Sequence, residues 1–495
     1  MARLSPFLAL LAFVGITVGS PVVKKRGTNP TEPDPDFAVN VKLNGITYTN
    51  KGLVAFGLIP SDFKDSTGDT LGGIGSAIAL SSFTSNGDGT FNGSIVAQPD
   101  RGFNIDGTIN YQGRQHTIDF VLTPYYGDDP LSFTDAQQTL QLEYKSTLLY
   151  TERGGVQTSG LDATSLRAST SGFPSNALAD PPLPVPSGLN HLTLDSEGLV
   201  LNSDGSFWLS DEYGPYIYRF DSSGDLIQAI QPPAAILPED ANGNLEFTSE
   251  DDPTTGRASN QGFECLTIDS TGKTLYAMLQ SAPIQDGGNK KSNSRFTRLV
   301  AFDISNPSVV RPSLVGEWIV PLPLSDKGNT LAASEIHFVH ENVFLVLARD
   351  GDGHGGDDNQ SKYKQADLID ISKATNIANT KFDQPANPVA PKGKLDKSVT
   401  AATYQSFVDF IDDDQLARFG LHNGDPADQT LIDAKWESLA LAPVGDPSFP
   451  NDFFLFTAAD NDFITTNGVS LGQPYNAGLD NDNQFLVFRV TLPSS

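Results

Sequence analysis

The sequence contains a single cysteine, Cys265. No internal disulfide can staple the fold, so its stability has to come from buried apolar surface, and 495 residues are enough chain to build a large core. Cys265 sits beside Glu264 on a strand-like run with no basic neighbour to activate it, and is read as a buried, inert thiol. Basic residues are scarce: 32 Lys and Arg stand against 60 Asp and Glu, a net charge of −28. That balance opposes nucleic acid and anionic membranes as partners, and it permits divalent cations. Long apolar runs are also missing. The stretch from Phe7 to Val18 falls short of the roughly 20 residues of a span, and Arg489 interrupts the apolar C-terminal run, so no membrane-spanning or lipid-anchored form is expected. His-Glu-x-x-His, Cys-x-x-Cys and P-loop motifs are absent. Helical periodicity is nearly absent too, and no Gly-x-Ser-x-Gly nucleophile elbow is expected, which disfavours an α/β-hydrolase serine esterase.

What is present begins with an N-terminal segment that is not part of the fold. Arg3, the apolar run and the small residues up to Gly19 have the layout of a secretory signal peptide over residues 1–19. Residues 20–26 end at the dibasic pair Lys25-Arg26 and read as a propeptide, and residues 27–36 as a Pro-rich linker. Residues 37–495 then form one domain. The expected product is a secreted, extracellular monomer, and the acceptor triplets Asn92-Gly93-Ser94 and Asn359-Gln360-Ser361 suit a glycoprotein.

The domain is dense in strand-like runs bounded by Gly, Asp, Asn and Ser, and its 45 Gly and 33 Pro fit many turns. It also repeats. "GLNHLTLDSEG" from Gly188 resembles "GFECLTIDSTG" from Gly262, and "SEIHFVHEN" and "WESLALAPVG" share the form, with "GIGSAIALSS" from Gly73 as a weaker copy. Aligned, these strings place Gly75, Asn190, Glu264, Glu335 and Glu437 at one position. Each copy is followed by a second strand ending in a polar cluster, and then by outer strands. The spacing is about 70 residues, longer than the roughly 40–50 of a compact blade, so the loops are long. Radial repetition of four-stranded antiparallel meanders is an all-β β-propeller. Six blades are expected, within a range of five to seven, the sixth drawn from the N-terminal strands and from His116 to Thr151. A β-sandwich with long insertions is the alternative.

In a propeller the inner strands line the axis, which gives Glu264 a reason to stand among apolar neighbours. An unpaired carboxylate in a dry core is costly, whereas several around a channel can hold a cation or pair with arginines. Glu264, Glu335 and Glu437, with Asn190 and His191 at the matching place, are expected at one mouth of the channel. Asp100, Arg101, Asp211, Glu212, Arg349, Asp350, Asp460 and Asp462, which end the second strands, should join them. The candidate catalytic residues are Glu264, Glu437, Glu335 and His191, with Arg349 and Arg101 to hold an anionic group. The competing reading is a set of salt bridges between blades. A second group, Asp350, Asp352, Asp357 and Asp358 in "ARDGDGHGGDDNQ", alternates with glycine and could ligate Ca²⁺, with Asp211 and Glu212 as further metal candidates, although the spacing is not that of an EF-hand loop. His354 could add a nitrogen ligand. The aromatics Trp208, Tyr213, Tyr216, Trp436 and Phe463 could line a sugar site, but such residues more often pack between blades.

The strings "GLNHLTLD…DGSFWLSDEYGPYIYRFDSSG", "NQGFECLTID", "LARDGDG" and "KWESLAL" resemble, in this order, the phytase-like family known as "esterase-like activity of phytase". The resemblance runs from about Leu71 to Leu492 and includes Asn190, His191, Asp211, Glu212, Tyr213, Gly214, Glu264, Arg349, Asp350 and Glu437. It implies a secreted propeller, hydrolysis of carboxylate or phosphate esters of small molecules, and Ca²⁺ held by clustered acids. A non-enzymatic cell-wall binding propeller and a lactonase-type sugar-active propeller are the alternatives.

Overall fold

Alternation of side chains along a strand sends successive residues to opposite faces. A strand that is apolar on both faces therefore has to sit between two packed layers. "FFLFTAAD" (Phe453–Asp460) and "FLVLAR" (Phe344–Arg349) are of this kind, and nearly every residue in them is buried. In the computed structural model, which describes residues 31–103, 107–152, 154–169 and 181–493, these strands lie inside a ring of sheets.

The ring has five blades. Blade 1 is Ala77–Ser85, Phe91–Gln98, Arg114–Leu122 and Leu140–Leu149; blade 2 is Ser196–Leu201, Phe207–Asp211, Ile217–Phe220 and Leu226–Ile230. Blade 3 is Phe263–Ile268, Thr274–Leu279, Phe296–Asp303 and Ser313–Pro321; blade 4 is Ala332–His340, Val343–Arg349, Lys364–Asp370 and Thr403–Asp409. Each is an antiparallel meander with its first strand innermost. Blade 5 joins the two ends of the chain: Lys435–Pro443, Asp452–Asp460 and Asn483–Thr491 pair with the N-terminal strands Ile46–Ile59 and Val39–Leu43. The inner strands contact one another in sequence and the fifth returns to the first, so the ring is closed.

The sixth blade does not form. The stretch from His116 supplies the outer strands of blade 1, and the N-terminal strands complete blade 5. Pairing Thr49–Ile59 with Asn483–Thr491 closes the ring through hydrogen bonds between chain ends, and the strands left over among the described residues form only short two-stranded pairs. Residues 31–36 dock on blade 5, where Lys51 meets Glu32 at 2.6 Å. The signal-peptide and dibasic segments fall outside the described residues. No helix among the described residues is long and apolar enough to cross a membrane.

Five apolar clusters fill the five gaps between blades. Val200, Trp208, Leu266 and Val300, for example, pack blade 2 on blade 3, while Leu345, Leu368, Leu455 and Phe488 pack blade 4 on blade 5. A sixth cluster, around Ile319, Phe382 and Val389, seats the long 372–402 insertion on the rim of blade 3. Trp208, Tyr213, Tyr216, Trp436 and Phe463 are all buried in this packing rather than ringing a sugar site. Cys265 is wholly buried between blades 3 and 4, and burial pushes its thiol well up. The hairpin turns follow a simple code. In Asp269–Gly272 the Asp269 side chain accepts from Lys273 N at 2.9 Å, and Gly272 takes φ +68°, a left-handed conformation that glycine adopts without strain.

Candidate functional site at the channel mouth

Each inner strand of blades 2 to 5 carries a β-bulge near its start, and the bulge decides which side chain stands at the mouth. The residue left out of the ladder is Glu264 in blade 3, Ser334 in blade 4 and Glu437 in blade 5; in blade 2 it is the pair Glu197-Gly198. After each comes the same pattern: Glu197-x-Leu199-x-Leu201, Glu264-x-Leu266-x-Ile268, Ser334-x-Ile336-x-Phe338 and Glu437-x-Leu439-x-Leu441. In blade 1 the string is Ser76-x-Ile78-x-Leu80.

Two expected placements are corrected by this register. Glu335 stands one residue deeper than Glu264 and Glu437. Its Oε1 accepts from Leu266 N of the neighbouring blade at 3.1 Å and from Ile336 N at 2.6 Å, and it faces the lower channel. Asn190 and His191 precede the inner strand of blade 2 instead of starting it. Asn190 is exposed, and among the described residues no hydrogen bond or ion pair joins His191 to the channel acids. "HLTLD" mimics the Glu-x-Leu-x-Leu string and drew the alignment seven residues upstream of the true partner. That partner is Glu197, and the signal for it in the sequence is "EGLVL".

The ends of the second strands meet these bulges at the same mouth. Asp195, Glu197 and Glu212 place one carboxylate oxygen each within 4.8 Å of one another, and Asp100, Asp460 and Asp462 do the same. Glu264 and Glu437 lie between the two groups, near enough for their charges to act on Glu197. Three cations face these acids. Arg101 Nη1 meets Asp195 Oδ2 at 3.1 Å and Ser249 Oγ at 3.1 Å, and the Arg101 N–H donates to Asp195 Oδ1 at 3.2 Å. Arg349 is ion-paired with Glu437. Lys435 Nζ lies 2.7 Å from both Asp460 and Asp462 and 3.7 Å from Glu437.

Acids outnumber cations more than two to one, and most are buried, so their protonation shifts rather than their geometry. Burial, and then the charge of Glu264, pushes Glu197 well up. Burial, and then Glu212, does the same to Glu264. Glu212 is pushed up to about 7, by burial first and Asp195 second, and it shares a hydrogen bond with Glu264. Asp100 is raised by burial and then by Asp460. Glu212 Oε1 and Glu264 Oε2 are buried with no hydrogen-bond partner. Two buried carboxyls with unpartnered oxygens, beside three converging carboxylate oxygens, can hold a cation, release a proton or accept one.

The remaining candidates lie elsewhere or act as supports. Asp211 Oδ1 accepts from Asp195 N and its Oδ2 from Gly214 N, each at 2.8 Å, which fixes the turn that aims Glu212. Arg257, fully buried, donates to the carbonyls of Tyr213, Phe247 and Thr248 and clamps the 247–258 loop beneath that turn. Asp350 accepts from Ser361 Oγ at 2.8 Å and from the N–H groups of Lys362 and Tyr363 at 2.6 and 3.1 Å, and it meets Lys364 Nζ at 3.3 Å. Asp357 and Asp358 are exposed and Asp352 is half-buried, and none of the four belongs to either convergent group. His354 is buried 4.0 Å from Asp433. A Gly-x-Ser-x-Gly string does occur, at Gly468–Gly472, but Gly468–Ser470 and Gln473–Tyr475 form a two-stranded hairpin. A nucleophile elbow is a strand-to-helix turn, and this is not one.

The Phytase-like family, described as "esterase-like activity of phytase", matches residues 76–412. The chain belongs to this family. An uncharacterized secreted protein of Arthroderma benhamiae is 39% identical over 467 residues, which cover 87% of this chain and 90% of that protein. Among solved structures, the periplasmic gluconolactonase of Pseudomonas aeruginosa aligns over 81% of this chain and 86% of its own, with 11% identity and a TM-score of 0.26. The hydrazine synthase of Kuenenia stuttgartiensis aligns over 79% and 78%, with 9% identity and a TM-score of 0.28. At these scores the propeller assignment rests on the closed ring of sheets itself.

Proposed function

We propose that this member of the phytase-like family is a secreted, metal-assisted hydrolase of ester bonds working at the mouth of the propeller channel. The observation that carries the reading is the convergence of Asp195, Glu197 and Glu212 beside the orphaned oxygens of Glu212 and Glu264. The secreted relative supports the compartment. Three carboxylate oxygens suit a hard divalent cation such as Ca²⁺. A bound cation would polarise the ester oxygen and offset charge developing on it.

The chain's own groups supply the rest. Arg101, anchored on Asp195 and Ser249, and Arg349, anchored on Glu437, stand at the rim and orient an anionic portion of the substrate. Glu264, whose carboxyl is pushed well up by burial and then by Glu212, favours its protonated form and is the group to pass a proton to the leaving oxygen. Glu437 is compensated by Arg349 and Lys435 and is placed to take a proton from the attacking water. The test is turnover on a panel of carboxylate esters, lactones and phosphate esters, with and without Ca²⁺, for wild type, Glu264→Gln and Glu437→Gln. A loss of at least 100-fold in kcat for both variants on one substrate supports the roles. Unchanged kcat removes them, and no turnover on any substrate by the Ca²⁺-loaded wild type favours a binding propeller.

A further inference from the structure

The Glu-x-Leu-x-Leu pattern that sets the acids at the mouth also dictates what lies below them. Alternate residues of one strand share a face and stand about 6.6 Å apart along it. Two residues below each mouth position comes an aliphatic side chain, and two below that another. The inner strands of blades 1, 2, 3 and 5 repeat this, and that of blade 4 brings Glu335, His337, Phe338 and Val339 to the wall, so the polar mouth gives way to a largely apolar bore. The bore is a cavity of about 420 Å³ bounded by Ile78, Leu199, Leu266 and Leu439 from four blades and by Phe338 from the other. It opens at the face opposite the mouth, where the Asp269-Ser270 turn, Phe453 and Leu492 form its edge.

Three features set this bore apart from an ordinary solvent channel. Its volume lies in the roughly 300–1,000 Å³ range of small-molecule sites. Leu201, Val339 and Leu441 are only half-buried, so apolar surface that the fold could have covered is left facing the cavity. The polar groups in the wall are few. Glu335 is tied to two backbone N–H groups and its carboxyl is raised by burial; His337 is held down to about 4, also by burial. Burial thus disfavours the charged form of both, and Asp269 stands only at the outer edge, in contrast to the crowded charges at the mouth.

We infer that the bore is a second small-molecule site, opening on the face opposite the acidic mouth, and that it takes an uncharged, largely apolar ligand. Aliphatic walls contributed by five strands supply the contact, and Glu335 and His337 offer a donor and an acceptor for one hydroxyl or carbonyl on the ligand. The inference does not depend on the reaction proposed at the mouth.

The test uses the mature full-length protein and N-phenyl-1-naphthylamine, a neutral aromatic probe that brightens on leaving water. Saturable binding at one equivalent is expected. Leu441→Arg and Val339→Arg, each at a half-buried wall position, should weaken it at least tenfold while the near-UV circular dichroism stays native. A wild type with no saturable signal, or natively folded variants that bind as tightly as wild type, would overturn the inference. A crystal of the wild type grown with the probe reads the same point without substitution: density in the bore supports the site, and density elsewhere contradicts it.

Discussion

The pushed-up carboxyl of Glu212 makes the stability of the cation-free protein depend on pH, and the sign follows from proton counting. In the unfolded chain this group ionises near 4.5, and in the fold near 7. Between those values the folded state holds more protons than the unfolded one, so stability falls as pH rises. Raising one carboxyl from 4.5 to about 7 amounts to about 3 kcal/mol at 1.36 kcal/mol per tenfold. From pH 5 to pH 7.5 about 2 kcal/mol of that is lost. A chain of 495 residues, at about 2 cal/mol/K per residue, unfolds with an entropy of about 1 kcal/mol/K, so the loss is about 2 °C in Tm. Glu212→Gln deletes the titration and should flatten the pH dependence of the chelator-treated protein by that amount. Urea unfolding at pH 5, 6, 7 and 7.5 in EDTA gives the free energies directly. Because Glu212 shares a hydrogen bond with Glu264, Glu264→Gln and the double variant should be non-additive. Wild type and Glu212→Gln with the same pH slope would refute the reasoning.

Three further outcomes are expected. Arg349→Met leaves Glu437 buried without its guanidinium partner and should cost about 3–5 kcal/mol in chemical denaturation, with Arg349→Lys recovering part of it. Deleting residues 37–60 removes the strand that closes the ring and exposes Phe485 and Val487, so limited proteolysis should find no stable core. Cys265 should resist iodoacetamide in the native protein at pH 8 and react fully in denaturant, because its thiol is both enclosed and pushed up.

Much of the fold was legible because strand alternation and turn chemistry are local. The Asp-Ser-Thr-Gly turn after Ile268 and the doubly apolar second strands point to radial meanders without any long-range information. Blade number was not legible, because a strand's partner is set by ring closure. Ile46–Ile59 pairs with the far end of the chain, and nothing in its own residues marks it as the outer wall of the fifth blade instead of part of a sixth. The site was half legible. Glu264, Glu437, Arg101, Arg349 and Glu212 converge as expected. Glu335 and His191 stand elsewhere for two reasons: a β-bulge adds a residue that no periodicity predicts, and "HLTLD" copies the apolar spacing of a true inner strand. Asp350 reads like a calcium ligand in sequence, but its oxygens are occupied by its own turn. Glu197 and Asp195, which complete the convergent group, lie in "LDSEG", a string that reads as a turn.

Isothermal titration of Ca²⁺ into chelator-stripped protein at pH 7.5, for wild type and Glu197→Gln, tests the cation-holding mouth most directly. The account predicts saturable binding with release of protons by the wild type, since the pushed-up acids must ionise to ligate, and at least tenfold weaker binding by the natively folded variant. No binding by the wild type, or equal binding by the two proteins, would contradict it.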